Sequence, residues 1–133
     1  MSARQPRAGQ RAEWAVRENL EKDGYVVWRS GGSLTCADLL AAKPGEWLLV
    51  QVKAGEARLE HEWFNELWTI SDMLSRGGSC GAWGRVLAII ADFPVKVGRT
   101  RPMRLRRITG LHPEPYSRTW PMEPFSTEDV EVA

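Results

Sequence analysis

The sequence predicts an α/β domain with a central mixed sheet flanked by helices, in the order α-β-β-β-α-β with one further strand possible near the end. Three observations predict it. Residues 9–23 and 60–76 each repeat apolar side chains three or four positions apart, the helical period. Between them lie short β-rich runs punctuated by Gly, Pro and Ser. Beyond the second comes Val86-Leu87-Ala88-Ile89-Ile90, an apolar run of strand length suited to burial on both faces. A length of 133 residues suits one domain, and no internal repeat divides it.

Each element has its own signal. Residues 1–8 are polar and basic and are expected to be flexible. In the first helix, Gly9–Asp23, the stripe is Ala12, Ala15, Val16 and Leu20, and Gly24 supplies the C-cap. Tyr25-Val26-Val27-Trp28 has strand propensity, and Ser30-Gly31-Gly32-Ser33 is a loop. Ala37–Ala42 and Glu46–Lys53 read as two strands joined at Pro44-Gly45. The second helix carries Trp63, Leu67, Ile70 and Leu74 and stops at Gly77-Gly78. Met103–Ile108 reads as the further strand, with Arg104 and Arg106 on one face. The domain is expected to span 1–120, followed by an acidic tail, 121–133, that is extended or disordered.

Composition narrows the function classes. No apolar run is long enough to span a membrane and no leader pattern opens the chain, so a cytoplasmic protein is expected. Cys36 and Cys80 match no metal-ligand spacing and are expected as free thiols. The net charge of +1 is unevenly spread: the acidic tail carries −4, leaving +5 on residues 1–120 (eighteen basic against thirteen acidic). Fourteen of the eighteen bases are arginine, six bases fall between Lys96 and Arg107, and that segment has no acid. Arginine pairs bidentately with phosphate, so the segment is expected to face a polyanion.

The hairpin raises the chemical question, because Asp38, Gln51 and Lys53 interrupt otherwise apolar strands. A two-residue turn at Pro44-Gly45 pairs positions whose numbers sum to 89, which sets Asp38 opposite Gln51 on one face. Lys53 shares that face by alternation, whereas Leu39, Ala41, Leu48, Val50 and Val52 point the other way. Pro-Gly favours a type II turn, which two-residue hairpins disfavour, so a slipped register is the competing geometry. A carboxylate and an amide oxygen are hard donors suited to Mg²⁺, and a lysine beside such an ion orients water or neutralises charge at phosphorus. The structural alternative is an Asp38–Lys53 ion pair with Gln51 as a satisfied neighbour. Glu13, near the buried side of the first helix, is a further candidate ligand.

Gly9-x3-Glu13, Gly24-Tyr25, Arg29-Ser30-Gly31-Gly32-Ser33, Asp38 and Gln51-x-Lys53 together resemble the archaeal-type Holliday junction resolvases of the PD-(D/E)XK nuclease superfamily. The likeness covers residues 7–55. From 60 to 93 only the order of elements agrees, and nothing beyond 95 is matched. The resemblance implies a restriction-endonuclease-like αβββαβ core and a homodimeric, Mg²⁺-dependent endonuclease (Mn²⁺ substituting) that cuts branched or duplex DNA. It implies that Glu13, Asp38 and Gln51 hold the metal, that Lys53 positions the attacking water and that Ser33 lies beside the scissile phosphate. Arg7, Arg11 and Arg29 would contact the DNA backbone. The basic segment adds Arg99, Arg101, Arg104, Arg106 and Arg107 as DNA contacts from charge alone. Gln51 departs from the family, which usually has glutamate there. Two alternatives stay open: a nuclease of this core acting on flaps, ends or a specific duplex, and a catalytically inert DNA-binding relative.

Among the other residues, Trp47, Trp63 and Trp68 are expected in the core or a dimer interface, with Trp63, Leu67 and Ile70 as the candidate interface. Trp120 is the candidate for an exposed aromatic that stacks on nucleic acid. His61 and His112 lack partners at ligand or triad spacing and are expected at the surface. The paired glycines fit no nucleotide-binding fingerprint, so no nucleotide cofactor is expected.

Overall fold

A computed structural model of the chain describes residues 8–30, 36–54, 58–77, 84–93 and 102–125. Two helices, α1 (Ala8–Lys22) and α2 (His61–Gly77), accompany six strands: β1 (Val26–Arg29), β2 (Leu39–Lys43), β3 (Glu46–Lys53), β4 (Arg85–Asp92), β5 (Arg104–Ile108) and β6 (Met122–Pro124). The strands form one sheet in chain order. Every neighbouring pair is antiparallel except β3 and β4, which are parallel and joined through α2. That single crossover makes the sheet mixed and sends the chain across one of its faces.

Helix α1 ends as its sequence predicts. Gly24 has φ +93°, the Tyr25 N–H donates to the Leu20 carbonyl (3.1 Å) and the Gly24 N–H to that of Glu21 (3.0 Å). These are the two bonds of a Schellman cap, and Leu20 and Tyr25 supply its apolar contact within one core cluster. The buried stripe is Ala12, Val16 and Leu20, whereas Ala15, expected in it, is exposed. On α2 the buried residues are Phe64, Leu67 and Ser71, and Ile70 and Leu74 pack against the same cluster, so of the expected stripe only Trp63 turns outward, with Phe64 in its place. Leu67 is fully buried against the sheet, so the expected dimer interface of Trp63, Leu67 and Ile70 lacks its central residue.

The hairpin keeps the register that a two-residue turn dictates: Leu39 pairs with Val50, Ala41 with Leu48 and Lys43 with Glu46. Gly45, at φ +79°, takes the left-handed position of the Pro44-Gly45 turn. The turn is braced from outside, since the Arg85 N–H donates to the Gly45 carbonyl (2.9 Å). A Cβ on Gly84 would lie 2.4 Å from that same oxygen. The start of β4 thus clamps a turn that hairpins otherwise disfavour.

Alternation then builds two layers. Leu48 and Val50 of β3, with Leu39, Ala41, Leu87, Ile89 and Ala91, pack beneath α1. Leu49 of β3, with Val86, Ala88, Ile90 and Ile108, packs beneath α2. The first residues of the expected acidic tail form β6, where Met122 pairs with Ile108 and Glu123 with Arg107. Among the described residues no helix is long and apolar enough to cross a membrane.

Candidate functional site

The α2-side face of the sheet changes character toward the end of β3. Leu49 is apolar, but Gln51 and Lys53 follow on the same face, with Asp92 of β4 level with Lys53. Asp38, just ahead of β2, is fixed by three bonds. Its N–H donates to the Val50 carbonyl (2.8 Å) and its carbonyl accepts from the Ser30 N–H (3.0 Å). Its carboxylate Oδ2 accepts from the Val52 N–H at 2.7 Å. The side chain therefore has a set direction.

Gln51 is 2% exposed, and its Oε1 is buried with no hydrogen-bond partner among the described residues. Such an acceptor costs about 1–3 kcal/mol unless something fills it. The side chain is thus not the satisfied neighbour of the structural alternative. Nor does Lys53 pair with Asp38: its Nζ stands 5.3 Å above the Trp63 ring, held by a cation–π contact from α2.

Glu13 comes in from α1. Its Oε1 accepts from Arg29 Nε at 3.1 Å. Burial pushes its carboxyl above the usual range and the Asp38 charge pushes the same way, against the opposing pull of Arg29. The influence of Asp38 means that the carboxylates of a helix and a hairpin share one locality. Glu13 and Asp38 thus carry oxygen donors in one locality, and Gln51 and Lys53 lie at the end of β3 on the α2-side face.

Hard oxygens and one orphaned buried acceptor fit a divalent cation such as Mg²⁺. No group of three or more His, Cys, Asp and Glu is suitably clustered among the described residues. Arg29 occupies one Glu13 oxygen that such an ion would take.

This arrangement can be set beside known proteins. No family model matches the chain, and no curated protein matches it. Among solved structures it is similar to that of Archaeoglobus fulgidus Hjc, a Holliday junction resolvase from an archaeal hyperthermophile. The TM-score is 0.50 and the identity 25%, over 73% of this chain and 70% of that one. The chain shares its fold with an archaeal Holliday junction resolvase. That likeness spans more of the chain than the resemblance in residues 7–55, and it covers an α/β domain with a mixed sheet.

The remaining expected residues divide. Ser33, Arg7, Arg99 and Arg101 lie outside the described residues. Arg11 is exposed on α1. Arg107 meets Glu123 at 3.5 Å at an exposed position. Arg104 and Arg106 both bond to Asp92, a residue that the sequence reading passed over. The available signal was an acid closing an apolar strand, where a carboxylate needs a partner.

Two expectations are overturned. His112 is 1% exposed rather than at the surface. Its N–H donates to Asn65 Oδ1 (2.7 Å) and its carbonyl accepts from Asn65 Nδ2 (3.1 Å). His61 Nε2 bonds to the same carbonyl at 3.1 Å, so both histidines tie the segment after β5 to α2. Trp120 stacks on the His112 ring at 3.9 Å and meets Phe64 edge-on at 4.9 Å. Its faces serve the core rather than a nucleic acid. Spacing along the chain could not show this, because His112 and Asn65 are 47 positions apart.

Proposed function

We propose that this chain is a metal-dependent DNA endonuclease that acts on four-way junctions as a homodimer. The observation that carries the reading is the end of the hairpin: a rigidly held Asp38 bonded to the β3 backbone, with the orphaned acceptor of Gln51 and the amine of Lys53 on one face of β3. The resolvase fold supports junction DNA as the substrate, and cutting two strands supports a dimer.

In this reading Glu13, Asp38 and Gln51 hold Mg²⁺, with Mn²⁺ as a substitute. When bound, the ion would supply Lewis acidity, lowering the pKa of water and neutralising charge at phosphorus. The protein does the placing. Asp38 keeps its direction through the Val52 N–H, and the buried Gln51 presents its oxygen without competition from bulk water. Lys53, steadied by Trp63, orients the attacking water and faces the negative charge that develops on the phosphoryl oxygens. Arg29 now holds one Glu13 oxygen and, were Glu13 to hold the ion, would be free to contact a backbone phosphate. Ser33, Arg7, Arg11, Arg99, Arg101, Arg104, Arg106 and Arg107 complete the proposed DNA contacts.

Incubating a labelled four-way junction, a matched duplex and single-stranded DNA with Mg²⁺ or EDTA tests this directly. Paired symmetrical nicks are expected at the junction, absent with EDTA and absent in Lys53→Ala. No cleavage of any substrate with Mg²⁺ or Mn²⁺ would sink the enzymatic reading. Equal cutting of linear duplex would instead select a nuclease acting on other DNA. One observation favours the inert-relative reading: the amide at Gln51 gives the site one negative charge fewer than a glutamate would. That reading predicts junction binding indifferent to Lys53→Ala and Asp38→Asn.

A further inference from the structure

We propose that Asp92 builds a phosphate-binding subsite beside Lys53 by holding the guanidinium groups of Arg104 and Arg106 in fixed orientations, and that it takes a backbone phosphate of bound DNA next to the one that is cut. The proposal rests on the nuclease reading above and adds to it a residue, a place and a division of labour among the arginines.

Register puts the parts together. Lys53 of β3, Asp92 of β4 and Arg104 of β5 form one row across the sheet, and Gln51, Ile90 and Arg106 form the next. Neighbouring strands are about 4.8 Å apart, so Arg104 begins roughly 10 Å from Lys53 along the row. Two long side chains on that spacing reach adjacent phosphates of one DNA strand. Ile90 and Ile108 pack beneath α2, so all of these residues open on the α2 side. Arg107 alternates to the opposite face and meets Glu123 there.

The hydrogen bonds distinguish a built site from a chance ion pair. Arg104 is bidentate, Nε to Oδ1 at 3.0 Å and Nη2 to Oδ2 at 2.8 Å, which fixes the plane of its guanidinium and leaves Nη1 for a ligand. Arg106 gives Nη2 to the same Oδ2 at 3.1 Å, and its Nε is buried without a partner among the described residues. The Asp92 side chain is 13% exposed, against 44% for Arg104 and 22% for Arg106, so the carboxylate lies beneath the guanidinium groups. A stabilising pair needs one arginine. Two on one carboxylate leave a net positive charge, and Lys53 adds another. An anion with several acceptor oxygens, a phosphodiester, satisfies such a cluster.

Junction binding without metal, titrated at several salt concentrations in EDTA, tests the subsite apart from catalysis. The Arg104→Gln/Arg106→Gln double variant is expected to flatten the dependence of log K on log[salt] by about one unit, from the one lost phosphate. Asp92→Asn decides the role of the carboxylate. Simple charge counting says that removing an acid tightens DNA binding, whereas loss of orientation weakens it, here by about fivefold or more. Asp92→Glu keeps the charge but displaces the pair by one methylene, and is expected to weaken binding too. Its circular dichroism separates misplacement from failure to fold. Tighter binding by Asp92→Asn, unchanged binding by folded Asp92→Glu, or an unchanged salt slope in the double variant overturns the subsite while leaving the nuclease reading intact. A wild-type protein that neither binds nor cuts a junction overturns both.

Discussion

The two faces of the sheet are built from the same strands and differ in what they can tolerate. Beneath α1, the buried cluster from Val16 to Ala91 is apolar apart from the Tyr25 hydroxyl, which donates to Glu46. Beneath α2, the apolar layer gives way to Gln51, Lys53, Asp92, Arg104 and Arg106 along two rows. Strand β3 contributes to both by alternation: Leu48 and Val50 to one face, Leu49, Gln51 and Lys53 to the other. The α1 face therefore supplies the stability that lets the α2 face keep an unsatisfied acceptor and a cluster of charge. Fold and chemistry are separated by a period of two.

The largest expected effect breaks this comparison if it fails. Lys53→Ala is expected to lower junction cleavage by about 10²–10⁴-fold, the range for removing a group that manages protons or developing charge. Its thermal midpoint should barely move, because the side chain is only partly buried. Leu48→Ala, on the other face, should lose about 2–5 kcal/mol of stability in urea titration. Its activity per folded molecule should stay near wild type. Equal stability losses in the two variants would mean that the faces are not divided as described.

How much of this was legible in sequence follows from the range of the interactions. The turn at Pro44-Gly45 and the Leu20–Tyr25 cap are local, so the hairpin register and the end of α1 came out as read. The helical stripe of α2 came out at Leu67, Ile70 and Leu74 and missed at Trp63, because Trp63 and Phe64 are both aromatic and only packing decides which turns inward. Asp92, His112 and Trp120 were missed or misplaced for another reason. Their partners, Arg104, Asn65 and Phe64, lie 12, 47 and 56 positions away. Such pairs exist only once the sheet has set its neighbours. Residue chemistry was legible, and long-range partnership was not.

Gln51 sharpens the comparison from the other side. Gln51→Leu removes a buried unpaired acceptor and is expected to raise stability by about 1 kcal/mol while abolishing Mg²⁺ binding by calorimetry. Gln51→Glu should do the reverse: tighter Mg²⁺ binding, but lower stability without metal, since an ionised carboxylate would replace an amide that is 2% exposed. A Gln51→Leu protein less stable than wild type would show that the amide is satisfied in solution and is no open ligand.

Glu13 gives a smaller effect with a definite sign. Its carboxyl is raised above the ordinary value of 4.5, chiefly by burial, so the folded state holds that proton more tightly than the unfolded chain does. Stability from this group is full below 4.5 and is lost as pH rises through the raised value. In the metal-free protein, Glu13→Gln should therefore gain stability relative to wild type as pH climbs from 4 to 7. A difference that shrinks over that range would mean that the Arg29 ion pair outweighs burial.

The smallest effect concerns the thiol where the apolar part of the α2 face meets the site. Cys36 is 2% exposed, two positions before Asp38, and belongs to the cluster with Leu49, Phe64 and Leu67. Burial and then the charge of Glu66 push its pKa from 9.0 to about 11. At pH 8 its thiolate is roughly a hundredfold scarcer than that of an unshifted cysteine, and alkylation requires the thiolate. With Cys80 replaced by Ser, iodoacetamide labelling of the native protein should be slower by at least that factor than in denaturant, since burial also limits access. Fast labelling would mean that this part of the α2 face opens in solution. The backbone leading into Asp38 would then move with it, and the fixed direction of that carboxylate, on which the candidate site depends, would be lost.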